Sequence, residues 1–160
     1  MSSAVTCYIG IGANLGDARA QVESAIEKLG RLPDTRLGAQ ASLFCTAPID
    51  AGADDYVNAV VQLQTSLPAA ELLAALQAIE LANGRQRSYR NAPRTLDLDL
   101  LLYGDQILAS DALTVPHPRM TQRAFVLIPL LQIDPFIVIP GLGAAHRFAP
   151  AVADQAIRKL

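Results

Sequence analysis

The chain has no apolar run long enough to cross a bilayer, although 51% of its 160 residues are hydrophobic and its mean hydropathy is +0.27. A membrane-spanning helix needs about 20 consecutive apolar residues, so we expect no membrane partner. The N-terminal stretch MSSAVTCYIGIG has no basic leader, which is unlike a signal peptide. Together with the length, these absences favour one cytoplasmic domain over residues 1–160.

Cysteine is scarce, and the two cysteines lie far apart in the sequence. Cys7 and Cys45 fall in apolar, strand-like segments and do not have CxxC spacing. Cysteines in this setting are typical of reduced core residues in a cytosolic protein. We therefore predict that neither takes part in a disulfide or a redox site.

Lysine and net positive charge are also missing. The chain has two lysines and a formal net charge of −2, which argues against a nucleic-acid partner. Arginine, by contrast, is concentrated, with four of its eleven copies at positions 85, 87, 90 and 94. The planar guanidinium suits phosphate oxygens, so the cluster indicates a small polyanionic ligand, with a solvated loop as the alternative.

Hydrophobic periodicity predicts the element order β-α-β-β-α-β. The predicted strands cover residues 4–12, 36–47, 56–67 and 96–103, and the predicted helices cover 17–29, with Asp17 as N-cap, and 68–83. A short apolar helix near 121–131 and a weakly patterned tail follow. This order is typical of a ferredoxin-like α+β fold, an antiparallel sheet with helices on one face, here with a C-terminal extension.

The segment NAPRTLDLDLLLYG, residues 91–104, places two acidic residues on a strand that is otherwise apolar. Alternation sends Asp97 and Asp99 to one face and the neighbouring leucines to the other. Residues two apart on a strand are separated by roughly 6.5 to 7 Å, so the carboxylates could hold one or two divalent cations such as Mg²⁺. The alternative is a strand with one solvated face.

Other motifs carry weaker signals. The stretch GIGANLG has Leu15 where a dinucleotide fingerprint needs its third glycine, so it predicts a tight strand-to-helix turn. His117 lies between two prolines and could donate to a phosphate or fill a loop, whereas His146 is predicted at the surface. Gln77 and Glu80 share a helix face, which we expect to be solvated unless that end of the helix points at the aspartates.

These motifs together resemble the 6-hydroxymethyl-7,8-dihydropterin pyrophosphokinase family. The resemblance covers roughly residues 5–135 and rests on GANLG, YVNAVV, IELANGRQR, RNAPRTLDLDLLLYG and LTVPHPRMTQRAFVL, in that order. It implies a folate-pathway enzyme that transfers diphosphate from ATP to the hydroxymethyl group of the pterin and releases AMP. ATP as co-substrate, two Mg²⁺ ions and a monomer are the expectations that follow.

The resemblance also implies a role for each matching residue. The two Mg²⁺ ions would be bound by Asp97 and Asp99, and charge on the transferring group would be stabilised by Arg85 and Arg94. The pterin pocket would be lined by Thr46, Ala47, Ile49, Tyr56, Asn58 and Phe125. ATP would be contacted by Gln77, Arg87, Leu100, Thr114, His117, Pro118 and Arg123, and Glu80 would lie near the metals or phosphates.

Some positions depart from the family pattern. Asn91 stands where relatives often carry an aromatic residue, and Tyr89 could supply the missing stacking contact. Ala112 replaces an arginine found in some relatives, and Pro118 replaces a common tyrosine. The loop PIDAGADD is short and begins with Ile49 and Asp50 where Leu-Gly is frequent. We expect these changes to alter affinities and to leave the reaction intact.

Two other hypotheses fit the pattern less well. A palm-type nucleotidyl transferase also mounts paired aspartates on a ferredoxin-like sheet, but the negative net charge and the lack of a basic template track disfavour it. A non-catalytic binding module for a small molecule would have no use for the aspartates, so replacing either with alanine would leave its ligand binding unchanged.

Overall fold

The computed structural model describes residues 4–14, 17–46, 56–83 and 96–160. Its helices are α1 (Ala18–Gly30), α2 (Ala69–Ala82) and α3 (Ala124–Ile133), with 3₁₀ segments at Met120–Gln122 and Ala145–Val152. Its strands are β1 (Val5–Ala13), β2 (Thr35–Gln40), β3 (Phe44–Thr46), β4 (Tyr56–Thr65), β5 (Asp97–Tyr103), β6 (Leu108–Ala109), β7 (Thr114–Val115), β8 (Val138–Ile139), β9 (Gly143–Ala144) and β10 (Ile157–Lys159). None of the helices in these ranges has the length and apolar character to cross a bilayer.

The main sheet confirms the ferredoxin-like prediction. Its strands lie in the order β10-β3-β4-β1-β5, with β2 also paired to β4, and every pair is antiparallel. The first strand is thus central and lies between β4 and β5, as the split-βαβ arrangement requires. Two small hairpins, β6–β7 and β8–β9, lie outside this sheet.

The prediction of a single strand over residues 36–47 is wrong, because the chain leaves the sheet between β2 and β3. The register with β4 shifts between Leu37 and Gln40, and the amide of Ala41 donates to the Val60 carbonyl at 2.9 Å. At the next residue, the Ser42 amide donates to the Gln132 side chain on α3 at 2.6 Å. A backbone group that bonds to a helix side chain cannot also extend a ladder, and the strand is interrupted there.

One face of the sheet is closed by α1 and α2. Asp17 caps α1 as predicted, accepting from the Ala20 amide at 3.1 Å. The apolar positions of the two helices, including Val22, Leu29 and Leu76, are fully buried against Ile9 and the other odd-numbered residues of β1. Each large aliphatic side chain buried in this way contributes about 1.5 to 3 kcal/mol, so this layer provides the main core.

The expectation that helices pack on one face only is wrong. The C-terminal extension covers part of the other face, where Leu127 and Leu130 of α3 pack with Tyr8, Val60 and Val152. The tail then adds β10 to the edge of the sheet beside β3. Weak patterning hid this layer, because α3 is apolar on nearly every side and the residues that follow it form a 3₁₀ helix.

A β-bulge in β5 decides which residues meet α3. Tyr8 pairs with Leu102 whereas Ile9 pairs with Leu100, so Leu101 is an extra residue. Leu101 and Leu102 both join the core under α3, whereas Leu100 belongs to the core under α1 and α2. Toward the start of β5, beyond the bulge, the side of the strand that faces α3 carries the two aspartates.

Candidate active site

The floor of the site consists of two glycines in the central strand. Gly12 pairs with Asp97 on one side and Asn58 on the other, and Gly10 pairs with Asp99 and Val60. A Cβ at Gly12 would lie 3.0 Å from the Oδ1 atom of Asn58, which is closer than a side chain normally approaches. The bare backbone therefore leaves a hollow between the carboxylates and the amide.

This hollow opens into a cleft of about 760 Å³. Its walls come from β3, β4, β5, the loop after β7, the start of α3 and the C-terminal segment. Eight of the residues predicted from the sequence line it together: Thr46, Tyr56, Asn58, Asp97, Asp99, His117, Arg123 and Phe125.

The two aspartates project into the cleft because β5 alternates. Both are half-buried, and Leu98 between them faces the opposite core. The buried carboxylate of Glu80 on α2 accepts from the Leu98 amide at 2.9 Å, which ties the helix to the backbone between the aspartates. The expectation of a solvated face for Glu80 is therefore wrong, because this end of α2 does point at the strand that carries the aspartates.

The two carboxylates of the cleft fit a magnesium ion. Within the described residues, no three His, Cys, Asp or Glu side chains group closely enough to form a complete metal site. Magnesium commonly takes only one or two protein carboxylates and completes its octahedron with water and phosphate oxygens. Asp97 and Asp99, on one face above a floor without side chains, meet that requirement.

On the opposite side of the floor, Asn58 is fixed in orientation. Its Nδ2 donates to the Thr46 hydroxyl at 2.8 Å, and only 7% of the residue is exposed. Its Oδ1 is turned toward Gly12, since a Cβ at that glycine would lie 3.0 Å from this oxygen. Tyr56 pairs with Thr46 across β3 and β4 and completes this wall. An amide held in this way presents a fixed pattern of hydrogen-bonding groups to a flat polar ring.

The start of α3 supplies an aromatic face and a positive charge. The Arg123 guanidinium lies 5.4 Å from the centre of the Phe125 ring, within the range of a cation–π contact. Both residues are half-buried in the cleft wall. The contact places a positive charge and an aromatic ring side by side in the cleft that also contains the two aspartates.

His117 lines the cleft, and its ring is held by the backbone around it. Its amide donates to the Leu101 carbonyl at 2.9 Å, and its Nδ1 accepts from the Arg119 amide at 3.2 Å, so the neutral ring carries its proton on Nε2. Burial lowers the pKa of His117, the carboxylate of Asp99 opposes that shift, and Arg123 and Arg119 add to it. The remaining N–H can donate to an anionic ligand.

Other predicted residues lie away from this cleft. Gln77 lines a separate hollow of about 480 Å³ between α2 and the β6–β7 region. The side chain of Leu100 is buried in the opposite core, so only its backbone could meet a ligand. Thr114 and Pro118 are exposed and do not line the cleft, and His146 is exposed as predicted. Predictions for Ala47, Ile49, Arg85, Arg87, Asn91 and Arg94 lie outside the described residues.

Sequence interpretation missed several residues of the cleft. Gly10 and Gly12 belong to β1, as the predicted strand over residues 4–12 requires, but their place in the floor of the cleft was not predicted. Their spacing of two, which matches that of the aspartates, is the signal that could have identified them. Gln122 and Gln155 also line the cleft, and no local pattern marks either one.

A ferredoxin-like sheet that brings two carboxylates, an imidazole and an arginine around one cleft is an α+β arrangement typical of an enzyme. Residues 8–135 match the family model described as 7,8-dihydro-6-hydroxymethylpterin-pyrophosphokinase (HPPK). The chain belongs to this family.

Comparisons with individual relatives agree with this family assignment. The chain is 46% identical over 134 residues to a Pseudomonas aeruginosa 2-amino-4-hydroxy-6-hydroxymethyldihydropteridine pyrophosphokinase, covering 83% of both chains. It is 38% identical over 157 residues to the Haemophilus influenzae protein of that name, covering 98% of each. Its fold is similar to that of a Plasmodium falciparum HPPK-DHPS variant crystallised with SDX-DHP, with a TM-score of 0.72 and 13% identity. That likeness covers 94% of this chain and 46% of the Plasmodium chain, so this chain spans about half of that protein.

Proposed function

We propose that this chain, as one domain over residues 1–160, transfers a diphosphate group from ATP to 6-hydroxymethyl-7,8-dihydropterin. The hydroxymethyl oxygen attacks the β-phosphorus of ATP, the bond from that phosphorus to the α-phosphate oxygen breaks, and AMP leaves as the hydroxyl proton is released. The observation that carries this proposal is that a fixed amide and two carboxylates share one cleft of about 760 Å³, a size that suits small substrates. Membership of the family supports the same reaction.

In this proposal, Asp97 and Asp99 would hold two Mg²⁺ ions that also bind the ATP phosphates. Bound Mg²⁺ would neutralise phosphate charge and stabilise the charge that develops on the transferring group. The contribution of the chain is geometric, because β5 holds both carboxylates on one face and Glu80 anchors the peptide between them. Positioning and charge neutralisation provide most of the catalysis in phosphoryl transfer.

The pterin would occupy the wall opposite the aspartates. Asn58, oriented by Thr46, would hydrogen-bond the edge of the ring, and Tyr56 and Phe125 would bound its faces. Gly10 and Gly12 support this placement because they leave room for a flat ring, and its hydroxymethyl group, next to the carboxylates. Ala47 and Ile49, which we propose complete the pocket, lie outside the described residues.

ATP would enter from the β5 and α3 side. The Nε2 proton of His117 and the guanidinium of Arg123 would contact its phosphates. The hollow beside Gln77 would accept the nucleoside, with Leu100, Thr114 and Pro118 contributing mainly backbone groups. The proposed roles of Arg85, Arg87 and Arg94 toward the phosphates rest on the family resemblance alone.

The products distinguish this reaction from its alternatives. The chain is incubated with ATP, MgCl₂ and the pterin alcohol, and the nucleotides are separated by anion-exchange chromatography. We expect AMP and pterin diphosphate in equal amounts, and omission of the pterin should abolish AMP formation. ADP without AMP would contradict diphosphate transfer, and tight binding of DNA or RNA at physiological salt would favour a nucleotidyl transferase.

A further inference from the structure

The C-terminal segment connects two walls of the cleft. It leaves the 3₁₀ helix Ala145–Val152, passes the start of α3 and ends as β10, where Ile157 pairs with Thr46 of β3. Between those two contacts, Gln155 and Ala156 line the cleft. The segment therefore spans the distance from the Arg123–Phe125 wall to the Thr46–Asn58 wall.

Gln155 makes two hydrogen bonds that bracket Arg123. Its Oε1 accepts from the Ala124 amide at 2.8 Å, and its Nε2 donates to the Gln122 carbonyl at 2.9 Å. The first amides of a helix have no partner within the helix, and Arg123, at the N-cap of α3, provides no side-chain bond to them. A glutamine 31 residues further along the chain thus supplies the missing cap.

We infer that Gln155 is a positioning residue for the ring-binding end of the cleft. By fixing the peptide groups on both sides of Arg123, it sets where the Arg123–Phe125 pair stands relative to Asn58. Gln155 acts through those residues, and its effect is on binding geometry. This inference rests on the proposed function, because it assigns the positioned wall to the pterin alcohol.

The chain contains a matched control for this role. Gln132, also on the surface and near the other end of α3, accepts from the Ser42 amide at 2.6 Å and donates to the Ser42 hydroxyl at 2.8 Å. Both glutamines therefore join α3 to a neighbouring segment through two hydrogen bonds. Only Gln155 lies in the cleft lining, since Gln132 is not among those residues.

The test compares Gln155→Met with Gln132→Met, which remove the same hydrogen-bonding groups and keep side-chain length. If the wall is no longer held in place before the substrate arrives, it must be ordered on binding, and this cost weakens substrate binding. We therefore expect Gln155→Met to raise the KM for the pterin by about five- to tenfold, the effect of losing one or two neutral hydrogen bonds. Its kcat at saturating pterin should stay within about twofold. Gln132→Met should leave the pterin KM unchanged, with a Tm decrease similar to that of Gln155→Met.

A conservative variant separates the cap from the second bond. Gln155→Glu keeps an acceptor for the Ala124 amide, and a negative charge is favourable at a helix N-terminus. We expect its pterin KM to rise by a smaller factor, about two- to threefold. A rise beyond about tenfold would contradict the role of the cap, and this criterion applies even if the methionine variant fails to fold.

The outcomes also separate this inference from the proposed function. If the wild-type chain forms no AMP, the proposed function fails, and this inference fails with it. If the wild type forms AMP and Gln155→Met has an unchanged pterin KM, only the positioning role is overturned. An equal rise in Gln132→Met would overturn it as well, because general loosening of α3 would then explain the effect.

Discussion

The two faces of the main sheet use the same strands for different purposes. On the face under α1 and α2, β1 contributes Ile9 and Ile11, and both side chains are buried. On the other face, β1 contributes Gly10 and Gly12, and α3 covers only part of the sheet. The first face fills its space with side chains, whereas the second leaves space for ligands. Stability and binding are thus separated by the alternation of a single strand.

The largest expected effect belongs to the open face. Asp97→Asn and Asp99→Asn should each lower kcat by about a thousandfold or more, because each removes a carboxylate from the proposed cation site. Thermal unfolding should change little, since both residues are half-buried and border the cleft. Asp105→Asn, at an exposed position outside the cleft, is the control. Wild-type turnover in either cleft variant would show that the acidic pair is not needed.

The closed face should respond in the opposite way. Leu76→Ala, at a fully buried position on α2, should lower the free energy of unfolding by about 2 to 5 kcal/mol. The activity of the molecules that remain folded should stay near that of the wild type. Urea denaturation gives the first quantity and initial rates at low temperature give the second. Leu81→Ala, which alters a leucine on the same helix that is 63% exposed, should change stability by less than about 0.5 kcal/mol.

The floor of the cleft offers a finer test. Gly12→Ala should raise the pterin KM by about tenfold, because the added methyl group would lie 3.0 Å from Asn58 Oδ1 and displace that amide. Gly10→Ala should have a weaker effect, since its methyl group would meet the Leu101 side chain at 3.4 Å, an ordinary contact. Both values come from steady-state kinetics at saturating ATP. Equal KM values for the two variants would argue against a ring seated between Gly12 and Asn58.

The smallest expected effect concerns the reactivity of Cys7, which tests how well the face under α1 and α2 excludes solvent. Burial raises the pKa of the Cys7 thiol from 9.0 to about 12, so at pH 8 only about one molecule in ten thousand carries the reactive thiolate. In a Cys45→Ser background, Cys7 should resist a thiol reagent until urea unfolds the chain. Its preference for the neutral form stabilises the fold below pH 9, and this contribution is lost as the pH rises toward 12. Rapid labelling of the native protein would show that this core opens.

The parts of the fold and site that follow from local pattern could be predicted from the sequence. Alternation in β5 was enough to place Asp97 and Asp99 on one face, and the cap at Asp17 was visible in the residues around it. The break between β2 and β3 depends on a bond from Ser42 to Gln132, ninety residues away, and has no local signal. The cap by Gln155 is of the same kind. Pairing register, which brings Gly12 between Asp97 and Asn58, is likewise a property of the folded sheet.

The extra residue at Leu101 has a consequence for changes of length in β5. On a single side of this strand, the carboxylates line the cleft at one end, and at the other end the bulge places two successive leucines in the core under α3. Deletion of Leu101 would remove the bulge and return β5 to regular alternation, in which Asp97, Asp99 and Leu102 still share one face of the strand. We infer that loss of Leu101 would cost packing under α3 without moving either aspartate from the cleft to the core.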